Sequence, residues 1–420
     1  MDNPIVKREL LGTLRTRRAL VVQILLAIAL AALVLLRWPT DARVDFDGLR
    51  AQQVLSVFGY GLLTGVILLA PVFPAASIVR ERQAGTLALL LNSPMKASSI
   101  AAGKLAGSLG FILLLILLSA PPAAACFAMG GIDAGDFAMM YLVVFALAFQ
   151  YATLGLLISS FATSVDSSLR LTFGGVLLLA VISLGPHQFL GATATGTTAT
   201  VIEWVRCLSP IPAMAEAMGN DTVLTGGLST TGSAARFIVL ALLSGAGFLG
   251  WTALRLNQRL FDKPRDAGQV TDERSRGAQV FRRIMYLWFF DPQKRSGLIG
   301  PLSNPVMVKE QRCRRFGRGH WMMRMIGACL ILSLALVLAT TSRTIEWGVE
   351  SLGGVMVALQ MGLVILITPA LASGLISSER ETGGWQLMRM TPLSPITIIV
   401  GKLLSVTWTL LLLLLATVPA

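Results

Sequence analysis

The chain has 420 residues, of which 54% are hydrophobic and only 14% are charged. Soluble domains average roughly 25% charged residues, so a soluble fold of this length is excluded. The net charge of +13 would suit nucleic-acid binding in a soluble protein, but in a membrane protein Lys and Arg collect on the cytoplasmic flanks of the spans. The composition therefore predicts an all-α, polytopic membrane protein with membrane lipids and no nucleic acid as partners.

Apolar stretches of the roughly 20 residues needed to cross a bilayer occur nine times in the chain. The predicted spans are 19–36, 54–79, 103–129, 137–160, 171–189, 236–254, 322–340, 352–376 and 399–418. The first has a basic flank but no obvious cleavage site, which favours an anchor over a signal peptide. With the amino terminus in the cytoplasm, 29 of the 35 Lys and Arg residues fall on cytoplasmic segments, which predicts a multi-pass cell-membrane (plasma or inner-membrane) protein in that orientation.

The amino-terminal segment has the pattern of a short helix lying in the membrane interface. Asn3 suits an N-cap and Pro4 the first helical position. Val6, Leu10 and Leu14 recur every fourth residue, while the basic side chains face elsewhere, towards lipid phosphates. A basic flank without helical order is the alternative. The residues assigned to this interfacial helix are Asn3, Pro4, Lys7, Arg8 and Glu9.

The segment after the second predicted span turns back towards the membrane within some twenty residues. Arg80, Glu81 and Arg82 mark the emergence into water, and Gly85 allows a turn. A short apolar run follows and ends at Ser93-Pro94. This pattern predicts a short surface helix suited to a partner's groove, with a plain interhelical turn as the alternative.

Much of this organisation recurs later in the chain. Residues 3–9 read NPIVKRE and residues 304–310 read NPVMVKE. Residues 80–104 match residues 378–402 in a register of 298 residues, which also relates two prolines inside the preceding spans. These prolines, Pro71 and Pro369, are expected to form either a hinge or a static kink.

The repeat predicts three segments. Residues 1–256 form a complete six-span unit, residues 257–303 a basic cytoplasmic linker, and residues 304–420 a second unit that stops after its third span. We expect the natural product to be longer than this sequence, so a second chain or the rest of the second unit is an expected partner.

The segment RERQAGTLALLLNSP, followed by GK, resembles the cytoplasmic loop of type-2 ABC transporter permeases. The opening NPIVKREL is similar to the elbow helix of the same family, and residues 287–310 resemble the junction between two fused permease units. In the second unit Gly384 and Trp385 replace the threonine and leucine of the pattern. This departure leaves open whether the two loops engage identical partners.

The resemblance implies a permease that exports a substrate and is driven by a separate ABC-type ATPase subunit. ATP and Mg²⁺ would bind to that subunit, and this chain would hold no cofactor. The coupling loops would be residues 80–100 (hereafter the first loop) and 378–398 (the second loop). The resemblance assigns ATPase coupling to Glu81, Arg82, Gly85, Thr86, Pro94, Glu379, Arg380, Gly383 and Pro392. A second interfacial helix would contain Asn304, Pro305, Lys309 and Glu310. It also implies short re-entrant helices within about 190–235. A non-transporting scaffold or assembly factor with the same fold is the alternative function.

Other chemistries find little support in the sequence. No G-x-x-x-x-G-K-[ST] motif occurs, and Lys104 and Lys402 of the two Gly-Lys pairs are expected to extend to the interface. The spans hold almost no ionisable residues, which disfavours a proton-coupled carrier or an intramembrane enzyme. Two histidines and four dispersed cysteines predict no metal site. Gln150 is expected to form an interhelical hydrogen bond.

Overall fold

The computed structural model describes residues 4–38, 49–190, 196–219, 232–257 and 304–313, residues 374–415 except 382, and scattered positions between 327 and 372. All regular secondary structure in these ranges is helical. Seven helical stretches in the described part are long and apolar enough to cross a membrane. They are Ala19–Leu36, Ala51–Gln83, Ala97–Ala128, Ala134–Phe161, Val165–His187, Ser233–Leu256 and Pro395–Leu412. The all-α membrane fold predicted from composition is therefore confirmed.

The chain divides into two compact units, Met1–Asp262 and Lys263–Ala420. The helices of the first unit are α1 (Pro4–Leu14), α2 (Arg17–Leu36), α3 (Leu49–Leu69), α4 (Val72–Gln83), α5 (Thr86–Leu91), α6 (Ala97–Leu117), α7 (Ala120–Ala128), α8 (Ala134–Phe161), α9 (Val165–Leu190), α10 (Thr197–Arg206), α11 (Pro210–Ala217) and α12 (Ser233–Asn257). Each of the six spans predicted for this unit coincides with one of the apolar helical stretches.

The second span is interrupted close to its middle. Helix α3 ends at Leu69 and α4 begins at Val72, with Pro71 between them. Proline lacks the amide proton that would continue the helical ladder, which accounts for the break. The carbonyl of Pro71 accepts a hydrogen bond from Ala75 N at 3.1 Å, so the new helix starts at once. The structure thus places a break at this proline, and its action as a hinge stays a prediction.

Helix α8 lies at the centre of the first unit, packed by α3, α4, α6, α9, α11 and α12. Because lipid tails are as apolar as the helices, such packing depends on close approach and on hydrogen bonds. Gly155 of α8 allows the close approach, since a Cβ atom there would lie 2.8 Å from the Pro71 carbonyl oxygen. Gln150 supplies an interhelical hydrogen bond, as predicted, by donating to Ser244 Oγ of α12 at 3.0 Å.

The predicted short helices between the fifth and sixth spans are present as α10 and α11. Helix α11 is largely buried and contacts α8 and α12. Its Glu216 accepts hydrogen bonds from Gly232 N, Ser233 Oγ and Ala234 N at 2.6–2.7 Å. A carboxylate at this position satisfies free amides at the start of α12 and interacts favourably with the helix dipole.

The described helices of the second unit are α13 (Pro305–Cys313), α14 (Gly374–Glu381), α15 (Gly384–Arg389) and α16 (Pro395–Leu415). Helices α15 and α16 begin and end 298 residues after α5 and α6, in the register predicted from the sequence. The predicted linker after Asn257, most of span 322–340 and about half of span 352–376 lie outside the described residues. Pro369 is helical, but too few of its neighbours are described to show a break.

Candidate functional site: the charged base of the first loop

The first loop has the predicted shape of a turn followed by a short surface helix. Gly85 takes a left-handed conformation with φ of 72°, which an L side chain rarely adopts. Helix α5 follows, with Leu87 buried and Leu89 73% exposed. The loop therefore presents an apolar side chain to its surroundings while its other face is packed against the protein.

The base of this loop is held by four charged residues, which we call the first charge cluster: Arg8, Glu9, Glu81 and Lys104. The Lys104 ammonium lies 3.0 Å from Glu9 Oε1 and 2.8 Å from Glu81 Oε2. Arg8 pairs with Glu81 and lies 3.3 Å from Glu9 Oε1. Two acids and two bases from α1, α4 and α6 thus form a neutral cluster that joins these three elements.

This arrangement corrects the prediction about Lys104 and adds a partner for Arg8. The Lys104 side chain is fully buried against two carboxylates instead of extending to the interface. Arg8 pairs with Glu81, but its side chain is still 54% exposed, so its contact with lipid phosphates stays a prediction. Burial would lower the pKa of Arg8, but the hydrogen bonds and charges of Glu81 and Glu9 outweigh it and raise that pKa. The physical reason is that a long cationic side chain follows the nearest carboxylates when the fold brings them into reach.

Close packing of α1 on α6 makes the first charge cluster possible. A Cβ atom at Gly107 would lie 2.6 Å from Glu9 Cβ, and one at Gly110 would lie 2.5 Å from Leu10 Cδ1. Ile5 of α1 is buried, while Lys7 is exposed. A helix is therefore present where the interfacial helix was predicted, and it packs along the third span, while its position in the membrane interface stays a prediction.

Arg82, next to Glu81, reaches in another direction. Its guanidinium donates to the carbonyls of Ser160 and Ala162, both at 2.8 Å, at the end of α8. Arg255 of α12 lies over the Phe161 ring at 3.5 Å in the same place. Adjacent residues of opposite charge thus connect the loop to two different groups of helices.

Two serines secure α4 against the neighbouring spans. Ser159 Oγ of α8 accepts from Ile78 N and Val79 N, each at 3.2 Å. Ser168 Oγ of α9 donates to Ala75 O at 2.6 Å. Helix α4, which leads into the loop, is thereby tied to the fourth and fifth spans by side-chain hydrogen bonds.

The second loop repeats this geometry. Gly383 has a φ of 76°, and Leu387, which matches Leu89 in register, is 70% exposed. A second charge cluster consists of Lys309, Glu310, Glu379 and Lys402. Its buried Lys402 ammonium lies 2.7 Å from Glu310 Oε1 and 3.8 Å from Glu379 Oε1, and Lys309 pairs with Glu379.

The remaining predicted residues have less prominent positions. Asn304 caps α13, its Oδ1 accepting from Val306 N at 3.0 Å, as expected of the Asn-Pro start. Thr86 makes a long 3.4 Å contact with the Glu81 carbonyl. Pro4, Thr86, Pro94, Arg380 and Pro392 are exposed, and Pro305 is half-buried. Asn3 lies outside the described residues.

Sequence reasoning missed the partners of the two lysines, the serines on α8 and α9, and the burial of Arg206 in α10. The Gly-Lys pair at matched positions of both loops was the available signal, since a lysine repeated at a membrane boundary invites a search for its counter-ion. No comparable signal marks the serines. Among the residues that the structure describes, no group of three or more His, Cys, Asp or Glu side chains is placed to hold a metal ion.

Residues 4–187 match the model of the family described as ABC-2 type transporter. This match covers α1, both halves of the second span, the first loop and all four members of the first charge cluster. No curated protein shows significant similarity to the chain. By this match, and with its apolar helices, the chain contains over residues 4–187 a membrane permease domain of the ABC-2 type transporter family.

Proposed function

We propose that this chain is the permease of an ATP-driven exporter and that its loops couple it to a separate ABC-type ATPase. The observation that carries the proposal is the first loop, whose tip is exposed and whose base is bound to α1, α6 and the end of α8. Leu89 is exposed, whereas Glu81 and Arg82 are bound to charged and backbone groups of other elements. A partner pressing on the tip would therefore displace the spans to which the base is attached.

The energy source would lie outside this chain. Its sequence has no G-x-x-x-x-G-K-[ST] motif, and the ABC-2 permease family normally works with an ABC ATPase. ATP and Mg²⁺ would bind to that partner. The cell membrane as location, the cytoplasmic amino terminus and outward transport belong to the same proposal, supported by the distribution of Lys and Arg and by the family.

The test is co-purification of the tagged chain from its native membrane in mild detergent, with partners identified by mass spectrometry. We expect a stoichiometric subunit with a Walker A sequence, whose ATP hydrolysis changes when this chain is present. Leu89→Arg should remove that subunit, because it places a charge on the exposed tip without altering the base of the loop. Leu387→Arg tests the second loop in the same way.

Lys96→Ser is the matched control, since Lys96 is exposed on the same loop and its counterpart in the second loop is Ser394. This variant should retain the ATPase. If well-folded chain brings down no ATPase, the exporter proposal fails and a membrane scaffold or assembly factor takes its place.

A further inference from the structure

Arg206, the last residue of α10, is a buried cation in the segment between the fifth and sixth spans. Only 4% of its surface is exposed. Helix α10 packs against α9, the fifth span, whose other end is bonded through Ser168 to α4, the helix that leads into the first loop. Arg206 therefore lies towards the membrane face opposite the end of α8 that contacts Arg82.

The hydrogen-bond partners of this guanidinium are incomplete. Its Nη1 lies 3.5 Å from His187 Nε2 of α9, at the limit of a hydrogen bond. Its Nη2 is buried and has no partner among the residues that the structure describes. Burial lowers the pKa of Arg206, as expected for a charge removed from water.

The acids of α10 and α11 are engaged elsewhere. Glu203, one turn before Arg206, pairs with Arg236 of α12, which also lies 5.5 Å from the centre of the Trp204 ring. Glu216 caps the start of α12. Neither carboxylate forms a salt bridge with Arg206, although Glu203 is near enough to act on it through space.

A buried guanidinium nitrogen such as Nη2 is costly when it has no acceptor, because burial removes the water that its N–H groups would otherwise bind. The planar fork of arginine matches the oxygens of a phosphate or carboxylate, and histidine can add a further donor. The missing partner therefore has the chemistry of an oxyanion.

We propose that Arg206 and His187 form a binding site for an oxyanion group of the phosphate or carboxylate type, on the membrane face opposite the first loop. The anion comes either from a phospholipid headgroup or from a free anionic molecule, including an anionic portion of a transported compound. This site needs no ATPase, so its test is independent of the proposed coupling.

The experiment measures the thermal unfolding midpoint of the full chain, purified in neutral detergent. One arm adds inorganic phosphate up to 5 mM against chloride of equal ionic strength, and the other adds phosphatidylglycerol against phosphatidylcholine. We expect the wild-type midpoint to rise by about 2–5 °C in at least one arm. A rise with phosphate indicates a free anion, and a rise with phosphatidylglycerol alone indicates a lipid.

Arg206→Met should abolish the rise, and without ligand its midpoint should be no lower than that of wild type, because an uncompensated buried charge has been removed. Arg37→Met is the control: Arg37 is an exposed arginine on the same membrane face, and this variant should respond like wild type. If Arg206→Met does not fold, Arg206→Lys is measured in its place. We expect that variant to need a ligand concentration about tenfold higher for the half-maximal rise. The proposal is wrong if wild type responds in neither arm, or if the Arg206 variant responds as wild type does.

Discussion

At the scale of single residues, Lys104 decides how the first loop is attached. A lysine at the end of a membrane span ordinarily extends its ammonium group to the interface. Here carboxylates from α1 and α4 lie within 3.0 Å of it, and burial in an environment of low dielectric strengthens their attraction. The lysine is therefore a common counter-ion of carboxylates on α1 and α4, in addition to the Arg8–Glu81 pair that joins the same two helices.

Replacing Lys104 by methionine keeps much of its volume but leaves Glu9 and Glu81 with only Arg8 as counter-ion. We expect Lys104→Met to lower the free energy of unfolding by about 3–5 kcal/mol, because a buried ion pair that loses one partner leaves an uncompensated charge. The measurement is the thermal unfolding midpoint of the purified chain in detergent. Lys96→Met, at an exposed lysine just before α6 that belongs to neither charge cluster, should stay within about 0.5 kcal/mol. Equal midpoints for the two variants would contradict the role given to Lys104.

At the scale of elements, the break in the second span and the centre of α8 belong together. The Pro71 carbonyl and the start of α4 come so near to α8 that only a residue without a side chain fits at Gly155. Ser159, one turn further along α8, then binds the amides of Ile78 and Val79. The close contact at Gly155 and the hydrogen bonds to Ser159 together hold α4, which leads into the first loop, in register with α8.

Gly155→Ala should destabilise the protein by about 1–3 kcal/mol, since the added methyl group would lie 2.8 Å from the Pro71 oxygen and 3.3 Å from Ala75 N. Both atoms belong to the backbone, so a change of rotamer cannot relieve the contact. Gly174→Ala on α9 is the matched control, because its Cβ would meet nothing within 4 Å. That variant should be stabilised by up to about 1 kcal/mol, as glycine is unfavourable inside a helix. Unfolding midpoints that move in the same direction would overturn this account of the break.

At the scale of the whole molecule, the two loops are built alike although each belongs to its own compact unit. Each has a left-handed glycine, a six-residue helix and an exposed leucine at the same position. Each is anchored by a charge cluster whose central lysine is buried. The clusters differ in their outer base, which is Arg8 in the first and Lys309 in the second, and lysine cannot form the planar two-pronged contact of arginine.

The predicted orientation has a direct test. In a background without the four native cysteines, Leu89→Cys and Val201→Cys each introduce one thiol at an exposed position, 73% and 61% exposed. In the predicted topology, these two positions lie on opposite membrane faces. A membrane-impermeant maleimide should label Leu89→Cys in inverted vesicles and Val201→Cys in right-side-out vesicles. Labelling of both from one side would refute the predicted topology, and the reverse pattern would refute the orientation.

Local sequence patterns predicted the spans of the first unit and several features of both units. The spans follow from runs of apolar residues, the break from Pro71, the turn from Gly85 and the start of α13 from Asn304. The repeat of the two loops at an interval of 298 residues could also be predicted from the sequence. Each of these features depends on residues that are neighbours along the chain, so local physical chemistry is sufficient to predict it.

The tertiary structure alone decided which elements meet. Glu9 and Lys104 are 95 residues apart, and nothing in their local sequence selects one for the other. The same holds for Gly155 against Pro71 and for the burial of Arg206. Inside a bilayer all spans are about equally apolar, so hydrophobicity places them in the membrane without choosing their neighbours. That choice depends on small residues and polar contacts that become visible only when the helices are packed together.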